Sequence, residues 1–337
     1  MSQRPLRLKS EKVSSKPRVT PHTQFVEVCV DTGVAHLDSP YTYAFNPDEV
    51  SFKLACGTYV EVPFNNRMVR GFVLRSAPEI VNPKFISRIL SKQSLFTAEQ
   101  LSLFEKVSSR YASSLWDVMR LAIPPVSNTV GLDFEQSKSQ DKEIAHKVRA
   151  FTLKIGVDRH KAIYELALKA KKNKTLIVVP NQRDVGPLVN LGAIPVDNGL
   201  GKSKTFQDYL KANYDFGIFV GLRSSIFLDM PEDSLILILD DSDPSHHELR
   251  QPTFNTRDVA LMRTSTINVG FVSVFHSPEV ARLIESGWIR EIVVKGIAKY
   301  SVEADPEARS FQRDLKIFSS KAVSYTHLRA HETRHDL

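Results

Sequence analysis

The chain predicts an α/β multidomain protein with a small, mostly-β domain at its N-terminus, a helical connector, and a parallel α/β lobe. Three observations carry this. Short alternating apolar runs, broken by proline and glycine, fill residues 23–82. An amphipathic tract that opens on a capping box follows them. Leu235-Ile236-Leu237-Ile238-Leu239 is an unbroken run of branched apolar residues, the mark of a strand buried on both faces of a parallel sheet. It ends in Asp240-Asp241-Ser242-Asp243, which sets carboxylates at the edge where parallel sheets collect their ligands.

A chain of 337 residues, 42% hydrophobic and 25% charged, is long enough for two or three domains with their own cores and reads as a soluble globular protein. Its apolar runs are too short to span a membrane and no secretory leader is visible, so a cytoplasmic protein without a membrane partner is expected. Two cysteines, Cys29 and Cys56, exclude a disulfide framework or a four-cysteine zinc site within this chain. They are expected as buried free thiols, and no metal site is assigned. The net charge of +7 suits a polyanionic partner.

In order, residues 1–22 read as a disordered basic tail, with Arg4, Arg7, Lys9, Lys12, Lys16 and Arg18 against Glu11. A solvated tail and a phosphate-contacting arm are both open readings. The β domain, 23–82, shows strand patterns over 25–30, 59–62 and 70–74, with a turn at Asn65-Asn66. The connector, 83–126, begins its helix at Thr97-Ala98-Glu99-Gln100 and continues with Leu101, Phe104, Val107 and Tyr111 at helical spacing. A second apolar run, 115–123, stops at Pro124-Pro125. Residues 127–148 are polar and read as a linker. The lobe, 149–300, alternates strand patterns at 174–180, 217–221 and 235–239 with helical patterns at 162–170 and 206–211, which implies βαβ crossovers.

Tyr41-Thr42-Tyr43, then Cys56-Gly57-Thr58-Tyr59-Val60-Glu61-Val62-Pro63-Phe64-Asn65-Asn66-Arg67, then Gly71-Phe72-Val73, resembles the N-terminal domain of the primosomal protein N′ (PriA) family of bacterial replication-restart proteins. In that family the domain binds the 3′ end of the nascent leading strand at a stalled fork. The resemblance implies DNA contacts from Tyr41, Thr42, Tyr43, Gly57, Asn66, Arg67 and Arg70, with Arg67 and Arg70 on phosphate. Thr42 stands where the family carries an Asp that helps read the terminal base, and offers a hydroxyl in place of a charged acceptor. For Tyr43 and Phe64 the competing account is that they fill the small core.

The resemblance runs on through most of residues 25–290. Gly221-Leu222-Arg223-Ser224-Ser225-Ile226-Phe227 and Arg257-Asp258-Val259-Ala260 are similar to motifs of the family's first RecA-like helicase lobe. The motor motifs within it are degenerate. The family's phosphate loop, Gly-x-Thr-Gly-Ser-Gly-Lys-Thr, is represented by Gly156-Val157-Asp158-Arg159-His160-Lys161-Ala162, where only Gly156 and Lys161 match. Asp158 brings a carboxylate toward the phosphates, and Ala162 lacks the magnesium hydroxyl. Gly201-Lys202-Ser203 has a phosphate-loop ending, but Val196 stands where the leading glycine is needed, so it reads as a turn. The family's Asp-Glu-Glu-His has become Asp240 to Asp243, in which Asp241 is one methylene shorter than the catalytic Glu. Its coupling motif has become Ser273-Val274-Phe275-His276-Ser277-Pro278, and its aromatic-rich loop keeps Phe254 but has gained His246-His247. The two histidines read as part of a solvated loop rather than a metal site.

Residues 301–322 look like a truncated stub, and residues 323–337 resemble translated sequencing-adapter sequence. His327, His331 and His335 at helical spacing are therefore excluded as ligands. The expected protein binds DNA in replication restart and primosome assembly, recognises stalled or branched forks and 3′ ends, and has no helicase activity and no catalytic residue. Gly156, Lys161, Asp240 and Asp241 form a degenerate nucleotide site. No cofactor is expected in this chain, although the family uses ATP and zinc. Partners implied by the resemblance are primosome, single-stranded-DNA-binding and helicase-loading proteins. The alternatives are an ATP-dependent 3′–5′ DNA helicase with divergent motifs, using Lys161, Asp240 and Asp241, and a protein-only structural adaptor.

Overall fold

The structure, a computed structural model, describes residues 11–12, 19–33, 38–49, 54–91, 93–126, 147–196 and 202–294. Most of the basic tail, linker residues 127–146, Gly201, the stub and the adapter-like segment lie outside these residues.

The first sheet comprises β1 (Glu11–Lys12), β2 (Gln24–Val30), β3 (Tyr41–Phe45), β4 (Tyr59–Phe64), β5 (Arg67–Ser76), β6 (Lys84–Phe85) and β7 (Arg88–Ile89), in the order β1-β7-β4-β5-β2-β3-β6. Its pairings are antiparallel except β3 with β6. The hairpin β4–β5 turns on Asn65 (φ 43°) and Asn66 (φ 61°), the two left-handed residues that a tight hairpin of native twist requires. One expectation is corrected here. Glu11 and Lys12 do not belong to a wholly disordered tail but pair with β7, whose outer edge offers unpaired backbone groups.

Two helices cover one face of this sheet: α1 (Ala98–Arg110) and α2 (Leu115–Ala122). Thr97 and Gln100 close the capping box at the start of α1 as the sequence predicts. Ser114 caps α2, whose first N–H also donates to Asp38 at 2.8 Å.

The second sheet is wholly parallel. In chain order its elements are β8 (Val148–Leu153), α3 (Arg159–Ala170), β9 (Lys174–Val178), α4 (Val185–Leu191), β10 (Ile194–Pro195), α5 (Lys202–Tyr214), β11 (Gly217–Gly221), β12 (Leu235–Leu239), α6 (Thr256–Leu261), β13 (Asn268–Ser273), α7 (Pro278–Glu285) and β14 (Arg290–Val294). The strand order is β10-β11-β9-β12-β13-β8-β14. β12 lies between β9 and β13 and is buried along its whole length, as its composition requires. Strand β8 begins inside the stretch expected to be linker, because Lys147 N donates to Asn268 and registers it on β13.

A single hydrophobic cluster joins the two sheets through the connector. Its spine is a series of aromatic contacts: Phe72 with Phe96 at 5.6 Å, Phe96 with Phe104 at 5.5 Å, Phe104 with Phe227 at 5.9 Å and Phe227 with Phe254 at 5.0 Å. Edge-on pairs of this kind add about 0.5–1.5 kcal/mol each beyond burial. Polar clamps flank the spine. Gln100 Nε2 donates to the Phe227 carbonyl at 2.8 Å, Thr97 Oγ1 to Asp229 at 3.1 Å and the Tyr209 hydroxyl to the Leu95 carbonyl at 2.9 Å. Phe254, the aromatic kept from the family's aromatic-rich loop, therefore packs in the core. Both cysteines are free. Cys29 is buried and Cys56 half-buried, where burial pushes its thiol up to about 11. Among the described residues no helix is long and apolar enough to cross a membrane.

Candidate nucleic-acid interface

Strand alternation decides which candidate DNA contacts can act together. Successive side chains point to opposite faces, and the registers of β2 with β3 and β4 with β5 carry the faces across the sheet. Tyr41, Tyr43 and Arg67 share the face that bears Val28, Val60 and Val62. Thr42 and Arg70 share the other, with Glu27, Glu61 and Tyr59. Five of the seven candidates thus divide between two faces, and Asn66 lies in the turn of the β4–β5 hairpin.

On the first face, Tyr43 is buried at 2% exposure and its hydroxyl donates to the Pro63 carbonyl at 3.2 Å. Burial, reinforced by the neighbouring Tyr41, pushes its phenol up to about 12. Tyr41 is half-buried, edge-on to Phe64 with ring centroids 4.9 Å apart. Asn66 and Arg67 stand exposed at the hairpin tip beside this aromatic pair. On the second face, Thr42 lies opposite Glu27, whose carboxylate pairs with Arg75 at 3.0 Å. Arg70 is exposed beside the Tyr59 hydroxyl.

Gly57 is internal. With φ at +84° a Cβ there would lie 2.4 Å from the Phe96 carbonyl oxygen and 2.5 Å from Ser94 Oγ, so the glycine lets the connector's entry segment approach β4. Its role, like that of Tyr43, is internal packing. The exposed or half-exposed candidates that remain are Tyr41, Thr42, Asn66, Arg67 and Arg70.

The carboxyl edge of the second sheet brings together residues that the sequence reading did not connect. Asp158 caps α3, accepting from His160 N at 3.1 Å and Lys161 N at 3.2 Å. Those are the helix N-terminal donors that a phosphate would need. Arg159 turns inward. Its guanidinium is ion-paired with Asp240 and, at 2.6 Å, with Asp184 at the head of α4, where His160 Nε2 also meets Asp184 at 2.9 Å. Burial pushes the Asp240 carboxyl above its ordinary range even against the pull of Arg159. Gly156 (φ +88°) makes the turn before α3, and Lys161 points to solvent. The N–H donors of α3 and the Asp240 carboxylate are thus engaged by the chain's own side chains, and the Lys161 side chain takes no part. A magnesium triphosphate does not fit this arrangement, because both its N–H donors and its acidic metal ligand are engaged.

Asp241 has a separate partner set. Its Oδ1 lies 2.8 Å from His276 Nδ1, and its Oδ2 accepts from Ser277 N at 2.8 Å. Burial alone would push this carboxyl up, but the hydrogen bonds from His276 and Ser277 outweigh burial and hold it below the usual range. The degenerate acidic and coupling motifs therefore remain in contact, and His276 reaches Thr152 on β8 at 3.2 Å through its other nitrogen. Lys202 and Ser203 merely open α5. His246 corrects an expectation. It is 1% exposed, not solvated, because its Nε2 donates to the Leu239 carbonyl at 2.8 Å beneath the end of β12, and burial pushes its pKa down. Among the described residues no group of His, Cys, Asp or Glu is placed to hold a metal ion.

Arg159, Asp184 and His276 were missed from sequence. Arg159 was legible in part, as a cation two residues before Lys161, but nothing in the chain's order indicated that Asp184 would meet it.

The fold is that of a two-sheet protein, and its N-terminal residues 27–124 match the 3′DNA-binding domain (3′BD) family of PriA. Over most of its length the chain is similar to probable replication restart proteins PriA. It is 27% identical to a probable replication restart protein PriA of Mycobacterium tuberculosis (strain CDC 1551 / Oshkosh), covering 87% of this chain and 51% of that protein. It is 25% identical to the corresponding protein of Mycobacterium leprae (strain TN), covering 82% and 51%. The chain thus spans about half the length of the curated relatives it matches. Among solved structures it is similar to the C-terminal domain of the DEAD-box protein Dbp5, at 14% identity and a TM-score of 0.32 over 44% of this chain and 90% of that one, which carries no weight for the fold.

Proposed function

We propose that this chain acts in replication restart by binding branched DNA through its N-terminal domain, with the parallel lobe serving as a RecA-like scaffold that has lost its motor. The 3′BD match over residues 27–124 supports the DNA-binding half of the reading. The observation that carries the loss of the motor is the pairing of Arg159 with Asp240, in the place a nucleotide's metal and phosphates would take. Tyr41 approaches the terminal nucleotide and Arg67, on the same face, contacts phosphate, while Thr42 and Arg70 offer a second contact surface across the sheet. Fork DNA is the main partner, and primosome, single-stranded-DNA-binding and helicase-loading proteins are the protein partners. The protein works in the cytoplasm, at the nucleoid.

The test is fluorescence anisotropy of the chain with a labelled fork carrying a free leading-strand 3′ end, against the same fork with that end phosphorylated. Preference for the free end, diminished by Tyr41→Ala, is the expected result. Equal binding to both forks would remove the 3′-end reading. ATP-dependent strand separation abolished by Lys161→Ala would replace the scaffold with a helicase.

A further inference from the structure

The segment that joins β2 to β3 ends in Asp38-Ser39-Pro40, and β3 begins at Tyr41. On one side β2 pairs with β3 along its whole length, from Phe45 to Tyr41. On the other side β6 reaches only Tyr43 and Ala44. Pro40 has no backbone N–H with which to carry the ladder further. The entry of β3, where Tyr41 stands, therefore needs support from elsewhere.

That support comes from the connector. Asp38 Oδ2 accepts from the Leu115 N–H, the first of α2, at 2.8 Å, and the Trp116 N–H donates to the same carboxylate. The helix is capped without it, because Ser114 Oγ accepts from the Asp117 N–H at 2.9 Å. What the Asp38 contact orders is thus the segment before Tyr41. The anchor itself is rigid. Val118 and Met119 of α2 are fully buried, and Trp116 packs on Phe72 with ring centroids 5.5 Å apart. Asp38 is drawn toward the face that the helices cover, while Tyr41 lies on the opposite face against Phe64.

We propose that Asp38 is a positioning residue of the 3′-end site: by tying the entry of β3 to the first turn of α2, it sets the Tyr41 ring for the terminal nucleotide. This rests on the role given to Tyr41 above and adds a specificity-setting contact away from the DNA. Asp38 itself does not meet the nucleic acid, since its carboxylate would repel phosphate. A Tyr41 ring that samples several orientations before binding would have to be ordered by the nucleotide, at a cost in selectivity.

The test is anisotropy of the full chain with two forks, one with a free leading-strand 3′ end and one with that end phosphorylated. Asp38→Ala should lower the ratio of the two affinities about fivefold, the scale of ordering one side chain on binding. Affinity for the blocked fork, carried by phosphate contacts, should be unchanged. Asp38→Asn keeps an acceptor oxygen and should keep most of the ratio. Asp117→Ala removes the contacts with Ser114 and Arg120, loosening the same helical turn while the Asp38 contact stays. It should lower the thermal midpoint and leave the ratio as it is. A wild-type preference that survives intact in Asp38→Ala would overturn the proposal. So would equal loss of preference in Asp38→Ala and Asp117→Ala, which would make the contact general support for α2. A wild type that binds both forks alike would instead remove the 3′-end reading itself, and this inference with it.

Discussion

Arg159 is held against Asp240 at the carboxyl end of β12, and the same guanidinium reaches Asp184, a carboxylate buried at the head of α4. One arginine thus neutralises two acids that would otherwise face each other in a partly dry crevice. Removing it by Arg159→Ala should cost about 3 kcal/mol, since it leaves buried charge uncompensated. Adding Asp240→Asn should restore part of that loss, a coupling that a double-mutant cycle in urea will show. Neither protein should gain ATP-dependent thermal stabilisation, because Asp158 still caps α3 and Ala162 still lacks a hydroxyl.

Phosphate contacts by Arg67 and Arg70 make a second expectation. Each Arg→Ala substitution should weaken fork binding to a similar extent whatever the end sequence, and should lower the slope of log affinity against log salt by about one. Tyr41→Ala should instead erode the preference for a free 3′ end. Titrations at several salt concentrations separate the two effects.

Gly57→Ala should destabilise the chain by about 3 kcal/mol, combining left-handed strain with a clash against the Phe96 backbone. The measurement is the denaturant midpoint. Unchanged stability would mean that the connector does not enter against β4 as the structure has it.

Lys174 lies 1% exposed between the sheet and α5, with Nζ donating to the Asn213 carbonyl at 2.9 Å, and burial pushes its pKa down from 10.5 to about 8. Between those values the unfolded chain holds the proton that the folded chain has lost, so the lysine's contribution to stability rises with pH from about 8 upward. Below that range the buried charge costs about 3 kcal/mol. Lys174→Met should therefore gain stability over the wild type at pH 7, and the gain should shrink by pH 9.5. Paired thermal melts across that range check both the sign and the window.

The strands that read most clearly were those whose chemistry is uniform. β12 is a run of Leu and Ile and lies at the middle of its sheet, and Asn65-Asn66 marked the hairpin because few other residues accept two left-handed positions. β8 and β13 were not legible as strands. Val148-Arg149 sits at the end of a polar stretch, and Asn268-Val269-Gly270 is interrupted by a glycine that allows close approach to Leu237 and Phe151. Their assignment depends on neighbours distant in the chain. The same limit applies to the sites. The broken phosphate loop was visible locally, but the partners that fill it, Asp184 for Arg159 and His276 for Asp241, come from other strand ends. The division of Thr42 from Tyr41 and Tyr43 follows from alternation and was open to inference once 41–43 was taken as a strand.

The capping box at Thr97 and Gln100 does double duty. The side chains that start α1 also grip Asp229 and the Phe227 carbonyl of the parallel lobe. A helix whose first turn is closed by a neighbouring domain cannot pivot at its origin without unwinding. The β4–β5 hairpin and the parallel lobe are therefore coupled through the first turn of α1.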